Sequence, residues 1–377
     1  MNLDFSDEQD MLRRSACEFI KRYIPKTFVK EMEDDPTGFT DDIWKEMVQL
    51  GWPGWVVPEE YGGVGGSFMD IMVLLEEMGN GCLPSPFFST VLLGAFPIID
   101  AGTEEQKQKY LPTIAGGEAF FTLALTEASG QYKAAAVAAT ATADGDGYTI
   151  NGTKLYVPDA HVANYLLCVA RTNQETSAEN GLTIFIVDAK SPGINCTVLK
   201  TISGEKLCEV VFDGVKVARE NILGELDQGW VVVQKTIDRA AVGKCAEMLG
   251  GLDWVLENCT AYALERVQYG KVIGSYQSMQ HHLAEMWTNI HVTKFLVYQA
   301  AWAIEEGIPC ASQVAMAKSW ASQTYLNCTK MGVQIFGAIG TTREHDMGLY
   351  YRRARQVAPE FGDMVSCRET VAQGLGL

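Results

Sequence analysis

Three short stretches of this chain bring together residue types that bind or transfer something. Leu123-Ala124-Leu125-Thr126-Glu127-Ala128-Ser129-Gly130 runs from an apolar strand into small and hydroxyl residues. Such a strand end exposes backbone N–H groups and the Thr126 hydroxyl, where a polar ring or a phosphate could dock; an ordinary strand-to-turn transition reads the same way. In Ala263-Leu264-Glu265-Arg266-Val267-Gln268-Tyr269-Gly270-Lys271 a helix is expected to end at a glycine with basic side chains in its last turn. Arg266 could grip a phosphate bidentately there, or simply place its charge favourably at a helix C-terminus. Gln334-Ile335-Phe336-Gly337-Ala338-Ile339-Gly340 holds small residues that let a backbone approach a ligand closely, or that only terminate a helix. Each stretch is ambiguous alone.

Positioning such groups takes a large frame. A chain of 377 residues with a 47% hydrophobic share suggests two or three domains and a sizeable core, and excludes disorder, collagen-like repeats and small disulfide scaffolds. The first third reads helical, because Ser6-x-x-Gln9 and Thr103-x-x-Gln106 are capping boxes placed before apolar-periodic stretches. Between them, Pro58-Glu59-Glu60-Tyr61-Gly62-Gly63-Val64-Gly65-Gly66 suits a turn and lacks the Lys-Ser/Thr ending of a phosphate-binding loop. From about Phe120 short β-rich runs take over, with hairpin signals at Asp144-Gly145-Asp146-Gly147 and at Asn151-Gly152. These strands do not alternate with helices, which argues against a Rossmann arrangement and for an antiparallel barrel or sandwich. After Gly224 long apolar-periodic segments return, such as Leu283, Met286, Trp287 and Ile290, of a kind that packs as an antiparallel bundle able to pair with another subunit. The expected division is a helical domain over 1–119, a β domain over 120–224 and a helical domain over 225–377.

Lys and Arg total 30 against 47 Asp and Glu, and the net charge of −17 disfavours nucleic acid or an anionic membrane as a general partner. The ten cysteines are scattered singly, without a CxxC pair or a Cys/His cluster at metal-ligand spacing, as expected for reduced core residues of a cytoplasmic protein without a metal site. The first residues carry acids where a secretory signal needs a basic region, and no apolar run reaches the roughly 18 residues of a membrane span.

Taken in order, these stretches resemble the acyl-CoA dehydrogenase family over nearly the entire chain. Pro58-Glu59-Glu60-Tyr61-Gly62-Gly63 is similar to the family's N-terminal signature, Leu125-Thr126-Glu127 to its first flavin loop, and Asn151-Gly152-x-Lys154-x-Tyr156 to its second. Glu265-Arg266-x-x-Tyr269-Gly270 is similar to its Arg-x-x-Phe-Gly element. Gln277 with Gln280-His281, Gln334-x-x-Gly337-Ala338-x-Gly340 and Arg352-Arg353-Ala354-Arg355 complete the series. The resemblance implies an α+β multidomain fold with an N-terminal helical domain, a middle antiparallel β-barrel domain and a C-terminal four-helix bundle. It also implies FAD as cofactor. Leu125, Thr126, Gly130 and the backbone around 123–132 would meet the flavin ring, and Tyr156, with Pro158 near it, would take the place of a ring-covering tryptophan. Arg266 and Gln277 would hold the FAD pyrophosphate of a neighbouring subunit, and Gln334, Gly337 and Ala338 would touch its adenosine side; Asp363 joins the cofactor residues. The implied enzyme removes the α proton of an acyl-CoA with a carboxylate, transfers the β hydrogen as hydride to the flavin, and passes electrons to an electron-transfer flavoprotein. It works as a homotetramer or as a heterotetramer with a paralogue.

The chain departs from the family pattern where the chemistry is concentrated. Most relatives carry the catalytic glutamate in a Tyr-Glu-Gly triplet near the C-terminus; this chain reads Glu360-Phe361-Gly362. A minority places the carboxylate one helix earlier, immediately before an arginine, and that pair is Asp238-Arg239 here. Asp238 is therefore the expected base, one methylene shorter than the usual glutamate, although a helical Asp beside an Arg can equally be a cap or a salt bridge. Arg239 would face the substrate, with Glu360 and Asp363 as reserve bases. The family's Trp-x-Thr becomes Tyr156-Val157-Pro158, and Pro158 offers neither a hydroxyl nor an N–H. Such erosion resembles the smaller subunit of bacterial heterotetrameric acyl-CoA dehydrogenases, so the alternative is a non-catalytic or half-site subunit. An acyl-CoA oxidase or an enoyl-CoA reductase carries the same motifs.

Overall fold

A computed structural model describes residues 5–174 and 177–377. The chain divides into two compact units, one holding the residues up to Glu33 with Phe68–Leu83 and Ala241–Leu377, the other Asp34–Ser67 and Pro84–Ala240. The helices before the sheet are α1 (Asp7–Tyr23), α2 (Lys26–Asp34), α3 (Asp41–Gln49), α4 (Phe68–Gly81), α5 (Phe87–Thr90), α6 (Phe96–Ala101) and α7 (Glu104–Ala115). The strands are β1 (Phe121–Ala124), β2 (Thr140–Asp144), β3 (Gly147–Pro158), β4 (Tyr165–Arg171), β5 (Leu182–Asp188), β6 (Ile194–Val198), β7 (Leu207–Ala218) and β8 (Ile222–Leu223). The chain ends in α8 (Gly229–Glu265), the hairpin β9 (Val267–Gln268) and β10 (Lys271–Val272), α9 (Gln277–Glu305), α10 (Ala311–Phe336), α11 (Met347–Val357) and α12 (Met364–Gly374).

Both capping boxes form. The Ser6 hydroxyl accepts the Gln9 N–H while the Gln9 side chain takes the Ser6 N–H, and Thr103 with Gln106 repeat the exchange at α7, so two helix starts are fixed by sequence alone. In the first unit α4 and α8 cross with their backbones in contact. A Cβ on Gly250 would lie 1.7 Å from the Glu76 carbonyl oxygen, so no other residue fits there without moving a helix. Within that unit α10 packs on α9, α11 and α12.

In the second unit the strands join in the order β6-β7-β3-β2-β4-β5-β8, with β1 added on β4. Ile150, Phe185, Val210, Phe212 and Val215 lie in the apolar core on this sheet. The expected antiparallel barrel is corrected to a mixed sheet with an open pairing path among the described residues: β1 runs parallel to β4, Phe121 opposite Tyr165, and β2 meets β4 in parallel at Thr140 and Arg171. A parallel partner requires a long connection, and the whole β2–β3 hairpin intervenes between β1 and β4. The turn at 144–147 forms as expected, with Asp144 paired to Gly147. Asn151-Gly152 is no turn but lies inside β3. A Cβ on Gly152 would sit 2.5 Å from that of Ala139, so glycine admits the neighbouring segment, and the pairing with β7 shifts register there. No helix among the described residues is long and apolar enough to cross a membrane, and no group of His, Cys, Asp and Glu among them could hold a metal ion.

Candidate functional site

The second unit assembles the strand-end residues. β3 breaks register with β7 again between Lys154 and Val157, because Tyr156 takes a left-handed conformation, φ 58°. For a non-glycine residue that costs on the order of 1–3 kcal/mol, which the surrounding structure must offset. The bulge turns Leu155 toward the first loop: its N–H donates to the Thr126 carbonyl at 2.8 Å, and the Thr126 hydroxyl donates back to the Leu155 carbonyl. Leu125 and Thr126 are thereby buried beside Tyr156, whose ring is 50% exposed, and Pro158 closes the strand. Gly130 lies in the same turn, its N–H on the Glu127 carbonyl, with open space where a Cβ would be. An exposed flat ring beside an ordered loop fits the face of a planar aromatic ligand.

Asp238 sits on α8, half-buried, its Oδ1 accepting from the Gln234 amide at 3.0 Å. Burial pushes its carboxyl up to about 6, against the pull of Gln234 and of Arg239. Arg239 is itself committed to Asp100, with Nη2 3.3 Å from Oδ1, and its guanidinium lies over the Phe96 ring. A desolvated carboxyl whose neighbouring cation is bound elsewhere is the environment of a general base poised near neutrality.

The reserve bases, in the first unit, are less suited. Asp363 caps α12, accepting the N–H groups of Val365 at 2.7 Å and Ser366 at 3.0 Å; partial burial raises its carboxyl, but those bonds outweigh it and hold it below the usual range. Glu360 accepts a hydrogen bond from the Gln356 amide at 3.1 Å and faces Lys244 at 3.6 Å. Phe361 between them is buried and left-handed, φ 55°.

The other expected cofactor residues of this unit lie exposed. Arg266 follows the last residue of α8, and its chain turns back at Tyr269-Gly270, the two-residue loop between β9 and β10. This corrects the expected helix end at Gly270: α8 stops at Glu265, and a β-hairpin follows. Gln277 begins α9. α10 does end at Gly337, as expected, with Gln334 and Ala338 exposed around it. Tyr262 and Phe336 pack ring to ring at 4.7 Å, which brings the α8 end bearing Arg266 to the α10 end bearing Gln334. Asp100 and the Lys154–Glu127 pair escaped the sequence reading. Lys154 enters that reading only as part of a motif; its need for a partner is legible from its place on the inward phase of β3 set by Ile150.

Comparison with known proteins accounts for nearly the whole chain. Residues 6–118, 122–215 and 227–376 match, in turn, the N-terminal, middle and C-terminal domains of acyl-CoA dehydrogenase. A 3-(aryl)acrylate reductase of Clostridium sporogenes is 31% identical over 363 residues, 94% of each chain. The CarC subunit of the caffeyl-CoA reductase-Etf complex of Acetobacterium woodii is 30% identical over 356 residues, 93% of each. The structure of butyryl-CoA dehydrogenase from Megasphaera elsdenii superposes with a TM-score of 0.92 at 29% identity, covering all of both chains. With the three domain matches in family order on the fold described above, this chain belongs to the acyl-CoA dehydrogenase family.

Proposed function

We propose that the chain catalyses FAD-dependent α,β-dehydrogenation of an acyl-CoA thioester and passes the electrons to an electron-transfer flavoprotein. The observation that carries the mechanism is Asp238: a half-buried carboxyl raised to about 6, with its neighbouring arginine held by Asp100. Ionised at neutral pH yet still basic, it takes the substrate's α proton; the cofactor, when bound, supplies the acceptor for the β hydride. The residues present fit FAD. The half-exposed Tyr156 ring beside the ordered Thr126 loop suits a flat ring system, and Arg266, Gln277 and Gln334 are exposed donors suited to a pyrophosphate and its nucleoside. That exposure agrees with their serving a neighbouring subunit, hence a tetramer. Arg239 acts on the substrate side by holding α8 to Asp100. The functional division follows domains at 1–119, 120–224 and 225–377, and ten cysteines without a disulfide among the described residues suit the reducing cytoplasm.

Anaerobic addition of acyl-CoA to the purified yellow chain tests the reading: loss of the visible flavin band supports it, and an unchanged band refutes it. Phe361 and Pro158, which stand where relatives carry a carboxylate and a hydroxyl, favour a second reading, a half-site subunit of a heteromer. A colourless chain that gains flavin only with a paralogue would establish that one instead.

A further inference from the structure

Residues 125–139 join β1 to β2 with only a short helical turn at Ala134–Ala136 of their own. Connections of that length in a compact domain are usually functional and need fastening. The fastening is ionic. The Glu127 carboxylate accepts the N–H of Ala138 at 3.0 Å and of Ala139 at 3.0 Å, closing the loop on itself from one end to the other. Beneath it, Lys154 is fully buried, and its ammonium donates to Glu127 at 2.7 Å and to the Leu125 carbonyl at 3.1 Å. One lysine on β3 thus holds the start of the loop, and one glutamate holds its end. The exchange between Thr126 and Leu155 lies directly beside them. An ion pair on a fully buried lysine is a weak source of stability compared with apolar packing, and what these bonds do fix is the geometry of the loop.

We infer that Lys154 and Glu127 are positioning residues: they lock the loop that carries Thr126 and Gly130, and so set FAD affinity by having the loop ordered before the cofactor arrives. This rests on the flavin reading above. Without the pair, FAD must order the loop as it binds, and affinity falls.

The test uses the full chain stripped of flavin. Lys154→Met leaves the half-buried Glu127 without its cation and is expected to weaken FAD binding at least tenfold, measured by quenching of flavin fluorescence. Lys154→Met/Glu127→Gln removes both charges and keeps one amide acceptor; it covers the case in which the single variant folds poorly. It is expected to regain the thermal midpoint of wild type but not its FAD affinity. Trypsin should also cleave after the exposed Lys133 in the loop several times faster in both variants. Wild-type FAD affinity and Lys133 protection in the double variant would overturn the inference, leaving the pair as packing alone. A wild-type chain that binds no FAD would instead overturn the flavin reading itself.

Discussion

Replacing Asp238 by Asn removes a charge and keeps the shape, including the Oδ1 that accepts from Gln234. Two effects of opposite sign follow. The carboxyl is raised from 3.8 to about 6 in the folded chain, so between those values the folded state binds more protons than the unfolded one, and stability falls as pH rises. About two units correspond to roughly 3 kcal/mol at most, and partial exposure reduces this to about 1–2 kcal/mol. Asp238→Asn should therefore be more stable than wild type at pH 8 by about 1–2 kcal/mol, a rise of a few degrees in the unfolding midpoint; about half of the gain should remain at pH 5 and almost none below pH 4. Its flavin bleaching by acyl-CoA should be slower by about 10²–10⁴-fold, the usual loss with a general base. In wild type, kcat/KM should fall about tenfold per pH unit below about 6. A variant that bleaches within tenfold of wild type, with the acid limb intact, would refute the assignment. Loss of stability together with activity would refute the electrostatic account and make Asp238 a structural residue.

Other perturbations have equally definite signs. Arg239→Ala leaves Asp100 half-buried without its cation and should cost about 1–3 kcal/mol in thermal unfolding; it also removes a pull on Asp238, so the acid limb of kcat/KM should move above 6 while kcat falls less than tenfold. Gly250→Ala drives a methyl into the Glu76 carbonyl and should lower the unfolding midpoint by several degrees or abolish soluble expression. Glu77 is pushed up to about 7, first by burial and then by Glu76, so its charge costs stability increasingly as pH rises; Glu77→Gln should stabilise the chain at pH 8 and leave it unchanged at pH 4. Tyr156→Gly relieves a left-handed tyrosine but adds backbone freedom, so the flavin-free chain should unfold within about 1 kcal/mol of wild type while FAD affinity drops roughly tenfold.

Features whose cause is local were legible in the amino-acid order. The capping boxes at Ser6 and Thr103, the turn at 144–147 and the helix stop at Gly337 each depend on a few consecutive residues. The family resemblance likewise needed only spaced motifs. Where two distant segments decide the outcome, the sequence was silent or misleading. Asn151-Gly152 has turn chemistry, but the approach of Ala139 makes it a bulge within β3. Strand alternation says which faces are buried and nothing about direction, so the parallel β1–β4 pairing could not be read from it. Trp287 falls in an apolar period yet is 52% exposed, stacked on His291.

The candidate site divides along the same line. Motif order, through the family resemblance, gave the expectation that a carboxylate on the helix after the sheet, an aromatic residue at 156 and a loop at 125–130 serve one site. Only the folded chain decided that Arg239 is taken by Asp100, that burial lifts Asp238, and that Lys154 and Glu127 pin the loop from below. The reason is physical: residue types are fixed by the order of the chain, whereas desolvation and charge pairing depend on which distant groups folding brings within a few ångströms.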